Sequence, residues 1–341
     1  MRNRFLASMS VLAVAIAMPS IASKPAAAQT TVALAKANGT TAKTWTPPKT
    51  PDGQPDLQGI WTNSTMTPLE RPKALAGKEF FTEQEALEYE NRLRQDLSTD
   101  RRDGPPEVDV NRSYEELWRE RGHLLLRTSL IVDPPDGRLP ALTPEAQERE
   151  KARAEDRRRR GPDPADSWED RNLAERCITR GAPKLPGMYN NNVHIFQTSD
   201  YVAILQEMIH EVRFIRLDGS PHVDPNIRLW MGDSRGHWEG DTLVVDTTNF
   251  SPKIISNSFN CCPGASANLH VVERFKLVDP ETIDYRYTVD DPTTYTRPWT
   301  AAVPMTRTPG PMFEYACHEG NYAMPGILAG ARAKEKAAEK K

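Results

Sequence analysis

The sequence predicts a mainly β chain, with an antiparallel up-and-down barrel or a strongly curved, lipocalin-like sheet at its centre. Three observations predict it. From residue 193 onward, apolar and aromatic residues alternate with polar ones in short runs, the period of a half-buried strand. Turn residues break those runs at short intervals, as at Gly240-Asp241 between Trp238-Glu239 and Thr242-Leu243, a hairpin signal. The strand-then-helix alternation of a parallel α/β sheet is absent throughout.

Taken in order, residues 1–28 read as a secretory signal. Arg2 and Arg4 make the basic start, residues 8–18 the apolar core, and Ala26 to Ala28 a small-residue cleavage site. Residues 29–55, rich in Thr, Ala, Lys and Pro, read as a flexible leader. Residues 56–190 form an irregular, partly helical region packed on the main body. Within it, 58–61 are an apolar plug. A helix over 80–98 starts on Thr82 with Glu85 three residues on, a capping box. Residues 114–122 suggest a second short helix, 129–139 a strand entering a Pro-Pro-Asp-Gly turn, and 143–160 a highly charged helix opening on Thr143-Pro144. Ser167 can cap a further short helix. The antiparallel β domain occupies 191–322. Its expected strands are 193–198, 201–209, 211–217, 227–231, 236–239, 242–250, 269–278, 282–289, 295–305 and 311–317. Residues 323–341 close the chain as a helical tail.

Bulk properties set limits. A formal charge of −3, more negative still once Arg2, Arg4 and Lys24 are removed, argues against a nucleic-acid surface. The Arg157 to Arg160 run reads as the solvated end of a helix, with cations near its negative pole. No segment after residue 28 reaches membrane-spanning length. Cys177, Cys261, Cys262 and Cys317 suit an oxidising compartment, so the expected location is periplasmic or secreted. A Cys177–Cys317 bridge, or two bridges from the neighbouring pair to the others, satisfies the count. A bond between adjacent Cys261 and Cys262 is not expected, because it strains the peptide between them.

The face arithmetic singles out charged residues among apolar ones. In 282–289, Ile283, Tyr285, Tyr287 and Val289 share the inward face. In 269–277, Glu273 sits among Leu269, Val271, Phe275 and Leu277. In 295–303, Arg297 shares a face with Tyr295, Trp299, Ala301 and Val303. A lone buried charge costs several kcal/mol, so Glu273 and Arg297 either pair or face a polar pocket. His210 falls on a face with Val202, Ile204 and Met208, Arg213 with Ile215 and Leu217, and Asn249 with Leu243, Val245 and Thr247. This is the composition of a small-molecule pocket with a few convergent polar groups. A structural ion-pair network knitting the sheet accounts for the same residues.

Other motifs carry less. Gly232-Asp233-Ser234-Arg235-Gly236 matches G-x-S-x-G, but strand and hairpin follow it where a nucleophile elbow needs a helix. It therefore reads as a β-turn with local hydrogen bonds. No dinucleotide fingerprint, Walker loop, haem motif or H-E-x-x-H is present, so no organic cofactor is expected. The pattern leaves room for a metal held by distant groups, with His210 and His270 beside Glu273 as the set.

Four stretches resemble a signature of a large group of exported bacterial proteins of unassigned function. They are residues 231–250 (MGDSRGHWEGDTLVVDTTNF), 207–210 (EMIH), 290–299 (DDPTTYTRPW) and 315–322 (YACHEGNY). The resemblance implies secretion and a β-rich fold and brings no residue roles. The expected function is an exported enzyme acting on a small apolar or aromatic molecule by acid–base chemistry, as a lyase, isomerase or hydrolase. His210 would be the acid or base, since histidine titrates near neutrality, and Glu273 would orient it. Arg213 and Arg297 would hold an anionic group, with Asn249, Tyr285, Tyr287 and Trp299 lining the pocket. The alternatives are a non-catalytic carrier of an apolar ligand and a structural or envelope-interaction protein.

Overall fold

The computed structural model describes residues 45–101, 104–105, 115–161, 164–254 and 261–340, so the expected signal segment lies outside the described residues. The described strands are β1 (Gly59–Thr62), β2 (Ile131–Asp133), β3 (Asn192–Gln197), β4 (Tyr201–Gln206), β5 (Val212–Arg216), β6 (Asp233–Glu239), β7 (Thr242–Thr248), β8 (His270–Asp279), β9 (Thr282–Asp290), β10 (Trp299–Ala302) and β11 (Met305–Arg307). The helices are α1 (Glu83–Leu97), α2 (Pro144–Arg160) and α3 (Ala323–Ala338).

The strands form one sheet in the order β11-β1-β3-β4-β5-β6-β7-β8-β9-β10-β2, and β9 also pairs with β11. That second pairing closes nine strands into a barrel, with β10 and β2 as an extension. Strand β9 serves both neighbours because its length is divided. Residues 282–283 pair with β11 and 286–289 with β10. Pro304 separates those two partners; lacking an N–H, it cannot continue a ladder. The expected single strand 295–305 is thus two short ones. The other departure from an up-and-down barrel is β5–β6, a parallel pair. Loop 217–232 is long enough for the return that a parallel neighbour requires.

The interior is packed with side chains. The inward row of β8 (Val271, Glu273, Phe275 and Leu277) faces that of β9 (Ile283, Tyr285, Tyr287 and Val289), and all eight are buried. Trp61 and Trp299 are completely buried. Aromatic pairs tie the layers, Phe275 on Tyr285 at 4.6 Å and Tyr287 edge-on to Trp299 at 5.8 Å.

Several boundaries differ from expectation for local reasons. The 58–61 plug is strand β1, inserted between β11 and β3. Strand β4 stops at Gln206, because Ile209 and His210 take positive φ in a tight connection to β5. Residues 227–231 and 311–317 alternate in sequence but form no described strand; Leu229 makes one isolated bridge to Phe250. The Gly232–Gly236 turn is instead the start of β6. Helix α1 has the expected box, with Glu85 N–H donating to Thr82 Oγ1 at 3.2 Å and Thr82 N–H to Glu85 Oε2 at 2.8 Å. Thr143 caps α2 as expected, and Ser167 caps a single turn over Trp168–Asp170. Residues 114–122 hold only a turn at Glu116–Trp118; Tyr114 lies outside the described residues. Cys177 bonds Cys317, and Cys261 bonds Cys262. The second bond corrects the expectation against a bridge between neighbours. Both of its cysteines are fully buried, and the other two are already bonded to each other.

Candidate functional site

Glu273 does project into the barrel, but its partner is Arg213, not Arg297. Strand β5 turns Arg213 inward, and its guanidinium grips both carboxylate oxygens, with Nη2 donating to Oε1 at 2.9 Å and Nη1 to Oε2. Tyr285 O–H donates to the same carboxylate at 2.7 Å. Burial opposes the Arg213 charge, and the Glu273 charge and hydrogen bonds outweigh it, so the guanidinium titrates above its ordinary range. Burial, aided by the Glu273 charge, pushes the Tyr285 phenol well up. Arg297 lies outside on the approach to Pro298, half exposed, and holds Asp133 at 2.8 and 2.9 Å. The face arithmetic failed there because a residue before proline is steered out of the strand's regular period.

The remaining expected site residues scatter. His210 is exposed on the β4–β5 turn, its Nδ1 3.0 Å from Tyr315 O. It is not beside Glu273, which is buried in the barrel with its carboxylate committed to Arg213 and Tyr285. Asn249 is buried but turned to the chain itself. Its Nδ2 reaches Val223 O, Asp224 O and Ile227 O at 3.0–3.3 Å, fastening loop 217–232. Tyr287 and Trp299 are core side chains. The proposed metal set is not assembled, since Glu273 points inward while His270 lies on the outer face. Among the described residues, no group of three or more His, Cys, Asp or Glu side chains is arranged to hold a metal ion.

Beside the Arg213–Glu273 pair lies a cavity of about 20 Å³. Val193, Ile204, Phe275 and Met305 line it with apolar side chains, and Lys184, Gln206 and Ala182 complete its lining.

A cluster of linked titratable side chains lies on the outer face of β6, β7 and β8. Asp246 stands opposite Arg235 across one ladder and diagonal to His270 across the other. Its two oxygens serve two imidazoles: Oδ1 meets His222 Nε2 at 2.9 Å and Oδ2 meets His270 Nε2 at 2.7 Å. The other nitrogen of His222 meets Asp233 Oδ2 at 2.9 Å. His222 therefore bridges Asp233 and Asp246 through its two ring nitrogens. Arg235 and the Val223 N–H also bind Asp233 Oδ2, each at 3.1 Å. His270 keeps Nδ1 without a hydrogen-bond partner among the described residues and is about a third exposed. The hydrogen bond that His270 donates to Asp246, aided by the carboxylate charge, raises the His270 pKa against partial burial. The bond to His270 in turn holds the Asp246 carboxyl below the usual carboxylate range.

Sequence reasoning missed this group. His270 and Asp246 fall on the solvent faces of their strands, where polar residues raise no alarm, and His222 comes from a loop with no period at all. The one usable signal was the GDSRG stretch. Its glycines answer to packing. Gly232 adopts φ +71°, and a Cβ there would lie 2.5 Å from Thr248 O, while one on Gly236 would lie 2.7 Å from Ile215. Ser234 is buried, 3.0 Å from Thr247 Oγ1, and no imidazole is bonded to it among the described residues. Its neighbour Asp233 is the functional candidate.

No family model, no curated protein and no solved structure matches the chain.

Proposed function

We propose that this chain is an exported enzyme whose acid–base site is the outer-face constellation, with His270 as the proton-transfer group. One observation carries the reading: a single carboxylate, Asp246, holds two imidazoles through separate oxygens, and one of those imidazoles keeps a ring nitrogen available. Asp246 fixes the His270 tautomer and stabilises its protonated form, while His222 and Asp233 hold Asp246 in place. The reaction class is proton abstraction and return, as in a lyase or isomerase, and it uses no organic cofactor. Loop 217–232 supplies the surroundings for an apolar or aromatic substrate bearing an acidic proton. Ile227 and Leu229 are about half exposed, and between them Arg228 is tied to Ala267 O at 2.8 Å, three residues before His270. Export is supported by the N-terminal pattern, by the resemblance of residues 231–250 to exported proteins and by two disulfides. Among the described residues, no helix is long and apolar enough to cross a membrane.

A second reading, a structural or envelope-interaction protein, is favoured by the filled barrel. The carrier alternative gains no support there, because small-molecule pockets occupy roughly 300–1,000 Å³ and this cavity measures about 20 Å³. Mature protein and its His270→Gln variant should be incubated with a soluble metabolite extract of the source cells and followed by mass spectrometry. A compound consumed by the parent and spared by the variant is the expected result. Equal consumption by both removes His270 from the chemistry, and consumption by neither favours the structural reading.

A further inference from the structure

Lys184 lines the barrel cavity in an unusual setting for a lysine. Its Nζ donates to two backbone carbonyls, Asn190 O at 2.7 Å and Asn192 O at 3.4 Å, and no carboxylate lies within ion-pairing distance among the described residues. The nearby acids are already occupied by the same loop. Glu120 accepts from the N–H groups of Asn190 and Asn191, each at 2.9 Å, and Glu207 from that of Asn192 at 3.2 Å. Two carbonyl acceptors match the two N–H bonds of a neutral amine and leave its lone pair as the remaining tetrahedral direction. Burial, with the like charge of Arg180 adding to it, lowers the Lys184 pKa to about 8 against the pull of Glu207 and Glu120. Desolvation of this kind turns a lysine into a nucleophile near neutral pH.

The cavity defines the partner. At about 20 Å³ it exceeds what one water needs, so a guest of roughly two heavy atoms fits. Arg213 and Glu273 line it but are spent on each other, which leaves Lys184 as the amine-bearing residue of its lining.

We propose that Lys184 is a covalent amine site that condenses with small aldehydes entering this cavity. The amine nitrogen attacks the carbonyl carbon, a C–N bond forms, and the carbonyl oxygen takes up a proton. That oxygen then leaves as water while the nitrogen gives up its proton and the C=N bond forms, so one aldehyde and one amine yield one imine and one water. The site is independent of the outer-face histidines.

The test is competitive labelling of the folded mature protein at pH 7 with limiting formaldehyde and sodium cyanoborohydride, mapped by peptide mass spectrometry. Lys184 should be methylated roughly tenfold or more faster than Lys73 and Lys276, both exposed to solvent. The preference should vanish in urea, and benzaldehyde, too large for the cavity, should not reproduce it. Lys184 labelling no faster than the exposed lysines overturns the proposal. So does a preference that survives unfolding, or equal speed with benzaldehyde, since either would show that the cavity is not what selects the reagent.

Discussion

Glu273 and Arg213 sit among aromatic rings with almost no access to water, 1% and 7% exposed. Each is tolerated there only because the other is present. Removing one leaves a buried charge with no counter-charge, at a cost of about 3–5 kcal/mol. Replacing both with apolar residues of similar volume removes the desolvation penalty together with the attraction. Glu273→Leu and Arg213→Met alone should therefore each lower stability by about that amount, and the double variant should recover most of it; denaturant unfolding measures all three. A double variant as unstable as the sum of the singles would show that the pair is not one unit. The Asp246–His270 pair works in the half-exposed range. The raised His270 pKa means its contribution to stability is complete below the unfolded value and is lost as pH rises through the folded one. The lowered Asp246 pKa means its contribution is present above the unfolded carboxyl value and is lost as pH falls through the folded one. The pair is at full strength between those limits, where His270 is protonated and can act as an acid; it becomes a base only as pH rises through its raised pKa.

At the scale of elements, loop 217–232 is the piece on which the outer-face site depends. It carries His222 to Asp233 and Asp246, and it is tied from below by the three carbonyl contacts of Asn249, itself at φ +59°. An asparagine suits both tasks, since it tolerates the left-handed region and its amide donates two hydrogens. Asn249→Ala leaves those carbonyls short of a donor and adds backbone strain. It should cost about 2–3 kcal/mol in denaturant unfolding. It should also release His222, seen as loss of its imidazole resonance pattern in NMR, while the Arg213–Glu273 pair stays intact. An unchanged His222 environment in that variant would detach the loop from the site.

At the scale of the whole molecule, two closures hold the barrel. The β9–β11 pairing joins its first and last strands. The Cys177–Cys317 bridge spans a sequence separation of 140 and ties the segment before β3 to the segment after β11. A cross-link over that length removes about 5 kcal/mol of unfolded-chain entropy at 25 °C in the loop-closure treatment. The Cys177→Ala, Cys317→Ala variant should unfold at a markedly lower denaturant midpoint, with the barrel's far-UV signature unchanged below it. An unaltered midpoint would mean the bridge adds nothing to the strand closure.

What was legible in the sequence follows from local physics. Period-two alternation in β7, β8 and β9 marked their inward faces, because a strand that pairs on both sides must alternate. Thr82 with Glu85, and Thr143 with Pro144, marked helix starts, because capping is decided within four residues. Glu273 was recognisable as a buried carboxylate from its own strand. Its partner was not, because Arg213 lies on β5 and meets Glu273 only when the sheet closes on itself. Arg297 and His210 were misplaced where a proline and a positive-φ turn ended the period, and Ser234 was read as a turn though its strand begins one residue earlier. The His222–Asp246–His270 constellation belonged wholly to tertiary structure. Solvent-facing polar residues on neighbouring strands carry no sequence signal until the register sets them side by side, and a loop histidine carries none until its loop is folded back upon them.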